Sequence, residues 1–231
     1  MKQITLVPDK RLAHWGVRYL LFQLFVLPFL LDWLLSMLGL HIDDGKFNML
    51  YYTINFAIVV GIFWRFLQVS LRHALENIGQ VLIPAAIGFL AYRFISTVVD
   101  MTIYGLFPDF FNVNDANIQA ISQGQLPMWC FATIVLVPPV EELLFRGAMF
   151  GGLYNRNKIL AWVVSVLGFC LLHVIGYVGY YTWDVLLICA IQYLPASICF
   201  AAAYRYSGNI FTPILMHAAI NSVAMLALAS M

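Results

Sequence analysis

Charge is what this chain has least of. Of its 231 residues only 10% are Asp, Glu, Lys or Arg, against 63% that are hydrophobic, whereas soluble domains carry roughly 25% charged residues. No polar stretch is long enough to build a separate water-facing domain, and no nucleic-acid partner is expected. The four cysteines, Cys130, Cys170, Cys189 and Cys199, all lie in apolar runs without CxxC or any metal-like spacing. They read as small buried hydrophobes, not as a disulfide framework or a zinc site. HExxH is absent, and the lack of an internal repeat leaves an inverted-repeat transporter without support. A signal peptide is not expected either. Met1 to His14 is polar and basic, but it leads into an apolar run of about 25 residues, longer than a signal core. No small-residue cleavage site follows, so this run reads as a retained first span.

What fills the chain instead is a series of apolar runs, drawn at approximately 14–39, 49–70, 79–105, 127–153, 159–179, 183–204 and 210–230. Each has the length of a membrane helix. The expected fold is all-α, a polytopic transmembrane helix bundle of about seven spans. Residues 1–126 form an N-terminal three-span region and 127–231 the core that carries the chemistry. Lys2, Lys10, Arg11, Arg65, Arg72, Arg156, Lys158 and Arg205 fall at the N-terminus and every second loop after it. The opposite loops hold only Lys46, together with Asp43, Asp44, Asp109 and Asp115. That bias predicts a cytoplasmic N-terminus and an external C-terminus. Trp15, Trp64, Trp129, Trp162 and Trp183 fall near proposed span ends, as an interfacial aromatic belt requires. The external stretch from Asp109 to Pro127 is read as a connector, and Arg72 to Glu76 as a short cytoplasmic helix end. Within spans, Arg18 is expected to snorkel, and Asp32 and Arg93 to pair structurally between helices.

The exception to the apolar pattern is Pro138-Pro139-Val140-Glu141-Glu142-Leu143-Leu144-Phe145-Arg146-Gly147. A charge at bilayer depth costs about 2.5–3.5 kcal/mol on insertion scales, so these groups must face a protein interior or a wet cavity. Pro139 is expected to start a helix after a break at Val137-Pro138, with both glutamates in or beside its first turn. Glu142 and Arg146 are four apart and share a face, so they can pair. Glu141 lies about 100° round the helix without a local partner. One carboxylate is thereby anchored and the other left available.

Two more polar constellations follow. His173 lies deep in the fifth span with Phe169 one turn earlier on the same face. Thr212 is a candidate N-cap with Pro213 as first helical residue, and His217 and Asn221, four apart, share a face. Taken together, two glutamates, an arginine, two histidines and an asparagine sit in three of the last four spans. Such a set suits hydrolysis: carboxylate and imidazole to take a proton from water, and donors for a developing oxyanion. For the groups to meet, the fifth helix must tilt or begin deeper than drawn.

In their order, Glu141-Glu142-x-x-x-Arg146, Phe169-x-x-x-His173 and His217-x-x-x-Asn221 resemble the CPBP family of CAAX proteases and bacteriocin-processing (Abi-type) membrane proteins. That family is related to the eukaryotic Ras-converting prenyl protease. The similarity covers roughly residues 127–226. The resemblance implies an intramembrane endopeptidase in which Glu141 and His173 activate the attacking water and His217 and Asn221 form the oxyanion hole. Glu142 and Arg146 would support them, with Phe169 beside His173. The family has been described both as metal-dependent and as glutamate-dependent. The reading adopted is metal-free, with zinc held by Glu141, His173 and His217 as the alternative. The implied partners are the lipid bilayer and a membrane-associated peptide or protein substrate, and the implied location is the plasma membrane of a bacterium. A non-enzymatic bacteriocin-immunity or peptide-binding protein is the rival reading.

Overall fold

The computed structural model describes residues 6–230; of the basic residues above, Lys2 lies outside them. Apart from an isolated bridge between Val178 and Tyr181, the described residues contain no strand. In chain order the helices are α1 (Lys10–Phe25), α2 (Leu27–Met37), α3 (Asp44–Glu76), α4 (Ile78–Leu106) and α5 (Val113–Ser122). They continue with α6 (Leu126–Tyr154), α7 (Lys158–Leu172), α8 (Trp183–Ser207) and α9 (Phe211–Ala229). Side-chain caps begin four of them. Asp9, Asp43, Asn112 and Asn157 each accept from a backbone N–H of the first turn, satisfying donors that would otherwise be orphaned.

Among the described residues, five helices (α3, α4, α6, α8 and α9) are long and apolar enough to cross a membrane. A sixth span is made if α1 and α2 count as one, although they meet at 52°. Pro28 at the start of α2 accounts for that bend, since it removes a helical donor. The expected fifth span, 159–179, is instead the 15-residue α7 followed by a short 3-10 turn, Ile175–Tyr177. Large apolar side chains such as Ile83, Ile87, Leu90 and Phe94 of α4 point outward, as a lipid-facing surface requires.

The core is aromatic and centred on α6. Phe145, Phe150 and Tyr154 pack against Phe169 of α7 and Phe200 and Tyr204 of α8. On its other flank α6 meets α1 at close range. A Cβ added to Gly16 would stand 2.6 Å from Ala148 Cβ, and one added to Gly152 would stand 2.8 Å from Ala13 Cβ. Small residues on both helices are what lets the backbones approach this far.

Two sequence expectations are corrected in α6 and α9. No break precedes Pro139: Leu136 is already helical, and the chain runs through both prolines as one helix. It does so by widening into π-helical turns at Ala132–Leu136 and again at Leu143–Gly151. Glu141 and Glu142 therefore stand in mid-helix, away from any free N-terminal donors. In α9, Thr212 is the second helical residue, and its buried hydroxyl has no hydrogen-bond partner among the described residues. Capping is done by Asn209, whose Oδ1 accepts from Phe211 N at 3.0 Å.

Candidate active site

The anchored member of the glutamate pair is Glu142. Its side chain and that of Arg146 are both 0% exposed, with Arg146 Nε 3.3 Å from Glu142 Oε2 and Nη1 donating to Oε1 at 3.3 Å. The other end of the guanidinium donates to the carbonyl of Ser197 at 3.0 Å and to its Oγ at 2.9 Å. Ser197 Oγ in turn donates to Val166 O at 3.2 Å. Above and below, Arg146 lies over the rings of Phe169 and Phe200, at 4.3 and 5.1 Å from their centroids. One arginine thus ties α6, α7 and α8 together. Buried charges persist only when paired in this way, and here Arg146 Nε and Glu142 Oε2 face each other as an ion pair without a hydrogen bond.

Glu142 then holds His217. His217 Nδ1 lies 2.9 Å from Glu142 Oε1. Because the carboxylate can only accept, the network assigns the Nδ1 proton to the imidazole and leaves Nε2 facing the other way. The ring is stacked on Phe200, centroids 4.7 Å apart. On its free side stands Glu141, with Oε2 4.0 Å from His217 Nε2; among the described residues that oxygen has no hydrogen-bond partner.

His173 ends α7 as its C-cap residue. Its Nδ1 lies 2.9 Å from the carbonyl of Phe169, which fixes the tautomer and presents Nε2. Phe169 sits between the two histidines, 4.6 Å from the ring of His173 and 5.9 Å from that of His217. The expected mismatch in depth is not present, and α7 starts at Lys158, no deeper than drawn. Counted from the turn joining α6 to α7, Glu141 and His173 both rise about 20–22 Å. Asn221, one turn beyond His217, donates from Nδ2 to Thr133 O at 2.7 Å, leaving its second amide N–H uncommitted.

Glu141, His173, His217 and Asn221 line one cavity of about 920 Å³. Much of its remaining wall was not singled out from the sequence. Tyr193 of α8 stacks on His173, centroids 4.1 Å apart and planes at 29°, and its hydroxyl donates to Asp115 Oδ1 at 3.0 Å. Asn114 donates to that hydroxyl at 3.0 Å, and Asn112 to Gln192 at 2.9 Å. The stretch expected to be a connector is therefore a wall, formed by α5. The accessible surface of Asp115 opens on the cavity, and enclosure by the walls pushes its carboxyl up. The Tyr193 hydrogen bond and nearby His173 pull it the other way. Trp129, expected in an interfacial belt, is 2% exposed and lines the same cavity. A signal for Tyr193 did exist: Gln192 and Tyr193 interrupt an apolar span, and polar groups at that depth mark function.

Asp32 and Arg93 do not form the expected interhelical pairs. Both are exposed side chains. Arg18 is exposed as expected and lies over the Trp15 ring at 5.4 Å.

The residues proposed for zinc do not assemble as a ligand set. Among the described residues no group of three His, Cys, Asp or Glu side chains is placed to hold a metal ion. His217 and Glu141 approach each other, while His173 is turned to its own helix through Nδ1 and stacked on Tyr193.

Compared with known proteins, residues 123–223 match the family model described as Rce1-like, type II CAAX prenyl endopeptidase. The UPF0177 protein YxdF of Lactococcus lactis subsp. lactis (strain IL1403) is 33% identical over 100 residues, 42% of this chain and 50% of that protein. The chain thus spans about half the length of this curated relative. No solved structure matches it. In a multi-pass membrane protein with these helices, the segment that supplies Glu141, His173, His217 and Asn221 is the one that matches the Rce1-like family model.

Proposed function

We propose that this chain is an intramembrane endopeptidase that hydrolyses a peptide bond in a membrane-associated protein or peptide, through water activated by glutamate and histidine. The observation that carries this reading is the buried, unpartnered Oε2 of Glu141, 4.0 Å from His217 Nε2 at the wall of a 920 Å³ cavity. A gap of that size between a carboxylate oxygen and an imidazole nitrogen is one that a bridging water fills.

In this reading Glu141 takes a proton from the water as its oxygen attacks the scissile carbonyl carbon, and His173 Nε2 is the second acceptor at the wall. The carbonyl oxygen, now an oxyanion, is met by the uncommitted N–H of Asn221 and by the Nε2–H of His217, which enters the reaction as an imidazolium. Glu142, locked by Arg146, supports the positive charge on His217. Collapse of the tetrahedral intermediate breaks the C–N bond, and the proton held by Glu141 passes to the leaving amine. The substrate can be a CAAX-type tail or a bacteriocin or other peptide precursor, and the bacterial plasma membrane is the proposed setting. No metal enters this mechanism, and exhaustive chelation is expected to leave turnover intact; loss of turnover restored by zinc would overturn that part.

The test is cleavage of a peptide library by purified protein in detergent or bilayer discs. Glu141→Ala and His173→Ala are expected to abolish turnover while thermal unfolding stays within a few degrees of the parent. Peptide binding by folded protein without turnover from the unmodified chain would instead favour a non-enzymatic immunity or peptide-binding role.

A further inference from the structure

His173 stands just past the end of its own helix. The last helical residue of α7 is Leu172, and His173 follows as C-cap, ahead of the 3-10 turn Ile175–Tyr177. One hydrogen bond, between Nδ1 and the carbonyl of Phe169 at 2.9 Å, fixes which edge of the ring faces the helix. A single bond at one edge leaves the ring free to tilt about it, so the groups lying against the ring decide where Nε2 points. Those groups are Phe169, with centroids 4.6 Å apart, and Tyr193 of α8, stacked at 4.1 Å with 29° between the planes. Phe169 is itself clamped by Phe145, Phe200 and Arg146. Tyr193 is the brace from outside that aromatic core.

Tyr193 is held in turn at its far end. Asn114 Nδ2 donates to its hydroxyl at 3.0 Å, and the hydroxyl donates to Asp115 Oδ1 at 3.0 Å. Asn112 Oδ1 is 3.3 Å from the same hydroxyl but already accepts from the backbone N–H groups of Asn114 and Asp115. The grip extends to the neighbours of both rings. Asn112 Nδ2 donates to Gln192 Oε1 at 2.9 Å, and the Tyr177 hydroxyl donates to Asn114 Oδ1 at 3.3 Å. Gln192 Nε2 passes the chain on to Asp100 of α4 at 2.9 Å. Capping α5 requires only the bonds from Asn112 Oδ1 to its own backbone. The bonds to α8 and to Tyr177 exceed that need, and all of them converge on the surroundings of His173.

We propose that Tyr193 is a positioning residue for His173: its ring sets the tilt of the imidazole, and the start of α5 sets Tyr193. The use of His173 as a proton acceptor rests on the endopeptidase reading above, whereas the bracing of its ring does not. Misplacing a reacting group by about 1 Å can cost about 10²-fold in rate. The relay from α5 through Tyr193 to His173 therefore makes turnover depend on a segment that supplies no reacting atom.

The experiment uses the full chain in bilayer discs and two readouts. One is kcat and KM on a peptide cleaved from the library. The other is the Cε1–H resonance of His173 in ¹³C-histidine-labelled protein, assigned among the five histidines by its loss in His173→Ala. The ring current of a stacked Tyr193 displaces that resonance. Tyr193→Leu is expected to move it back and to lower kcat about a hundredfold, with KM changed less than about threefold. Tyr193→Phe keeps the ring and loses the hydroxyl. It is expected to keep the displaced resonance and to lose at most about tenfold in kcat, roughly one hydrogen bond. Asn114→Ala should lower kcat severalfold in the parent and no further in the Tyr193→Phe background, where the grip of α5 is already gone. That cycle carries the test if Tyr193→Leu does not fold, and strict additivity in it overturns the relay. A Tyr193→Leu protein with lowered Tm but parental kcat and resonance has lost only packing, which overturns the positioning role and leaves the peptidase reading standing. A resonance that moves as expected in a chain without any turnover supports the positioning of His173 and overturns the peptidase reading.

Discussion

The side-chain amide of Asn221 completes a backbone hydrogen bond that Pro138 cannot make. In the π-helical turn at Ala132–Leu136, Val137 N donates to Ala132 O. The next carbonyl in that pattern, Thr133 O, would look to residue 138, and proline has no N–H. Asn221 Nδ2 fills the vacancy at 2.7 Å from another helix. This bond fixes the position of a residue that the proposed mechanism also uses as an oxyanion donor.

Asn221→Ala should therefore have two separable effects. Leaving Thr133 O unsatisfied costs about 1–3 kcal/mol, read as a fall in Tm. Loss of an oxyanion donor costs about 10²–10³ in kcat. A variant that loses activity with no change in Tm would show that the Thr133 contact contributes nothing to the fold.

The link to Pro138 is testable by a double-mutant cycle. Pro138→Ala supplies the missing N–H, so in that background the stability cost of Asn221→Ala should shrink by at least about 0.5 kcal/mol. Pro138→Ala alone should raise Tm, because proline within a helix is unfavourable. Strict additivity of the two substitutions in thermal unfolding would refute the coupling.

Arg146 should be the least replaceable side chain of the core. Arg146→Ala leaves Glu142 buried with only His217 beside it, a loss of about 3–5 kcal/mol, or roughly 6–20 °C in Tm for a chain of this size. Arg146→Lys should recover little, since a single ammonium cannot reach Glu142 and Ser197 as the guanidinium fork does. Fluorescence-detected size exclusion after heating reads both, and near-parental survival of Arg146→Ala would contradict the network.

Asp115 carries a pH signature. Its folded carboxyl titrates above the ordinary value of 3.8 because the walls enclose it. Such a group contributes stability that is fully present below 3.8 and is lost as pH rises through the raised folded value. Asp115→Asn should therefore be more stable than the parent near neutral pH, with the two Tm curves converging below 3.8. Curves that stay parallel across that window would show that Asp115 is not enclosed in this way.

Contacts along one helix were legible from spacing alone. The Glu142–Arg146 pair and the shared face of His217 and Asn221 follow from a four-residue interval, and both are present in the structure. Contacts between helices were not. Ser197 on Arg146 is 51 residues away in sequence, and Glu142 on His217 is 75 away; nothing in either local pattern names the other. The prolines misled for a physical reason. Their fixed φ and missing N–H announce a helix start in most settings, but a membrane interior offers no water for the freed carbonyls, so the helix widens and a neighbouring amide steps in. The wall formed by α5 was hidden because its polarity looked like that of any exposed linker, although Asn112 and Asn114 are committed to α8.

Helix α7 has one more implication. Its fifteen residues make about 22 Å of helix, well short of a hydrocarbon layer about 30 Å thick. Lipid on that flank must pinch inward or tilt its tails to follow the protein surface. By that argument the bilayer beside His173 is expected to thin, and turnover to change with acyl-chain length.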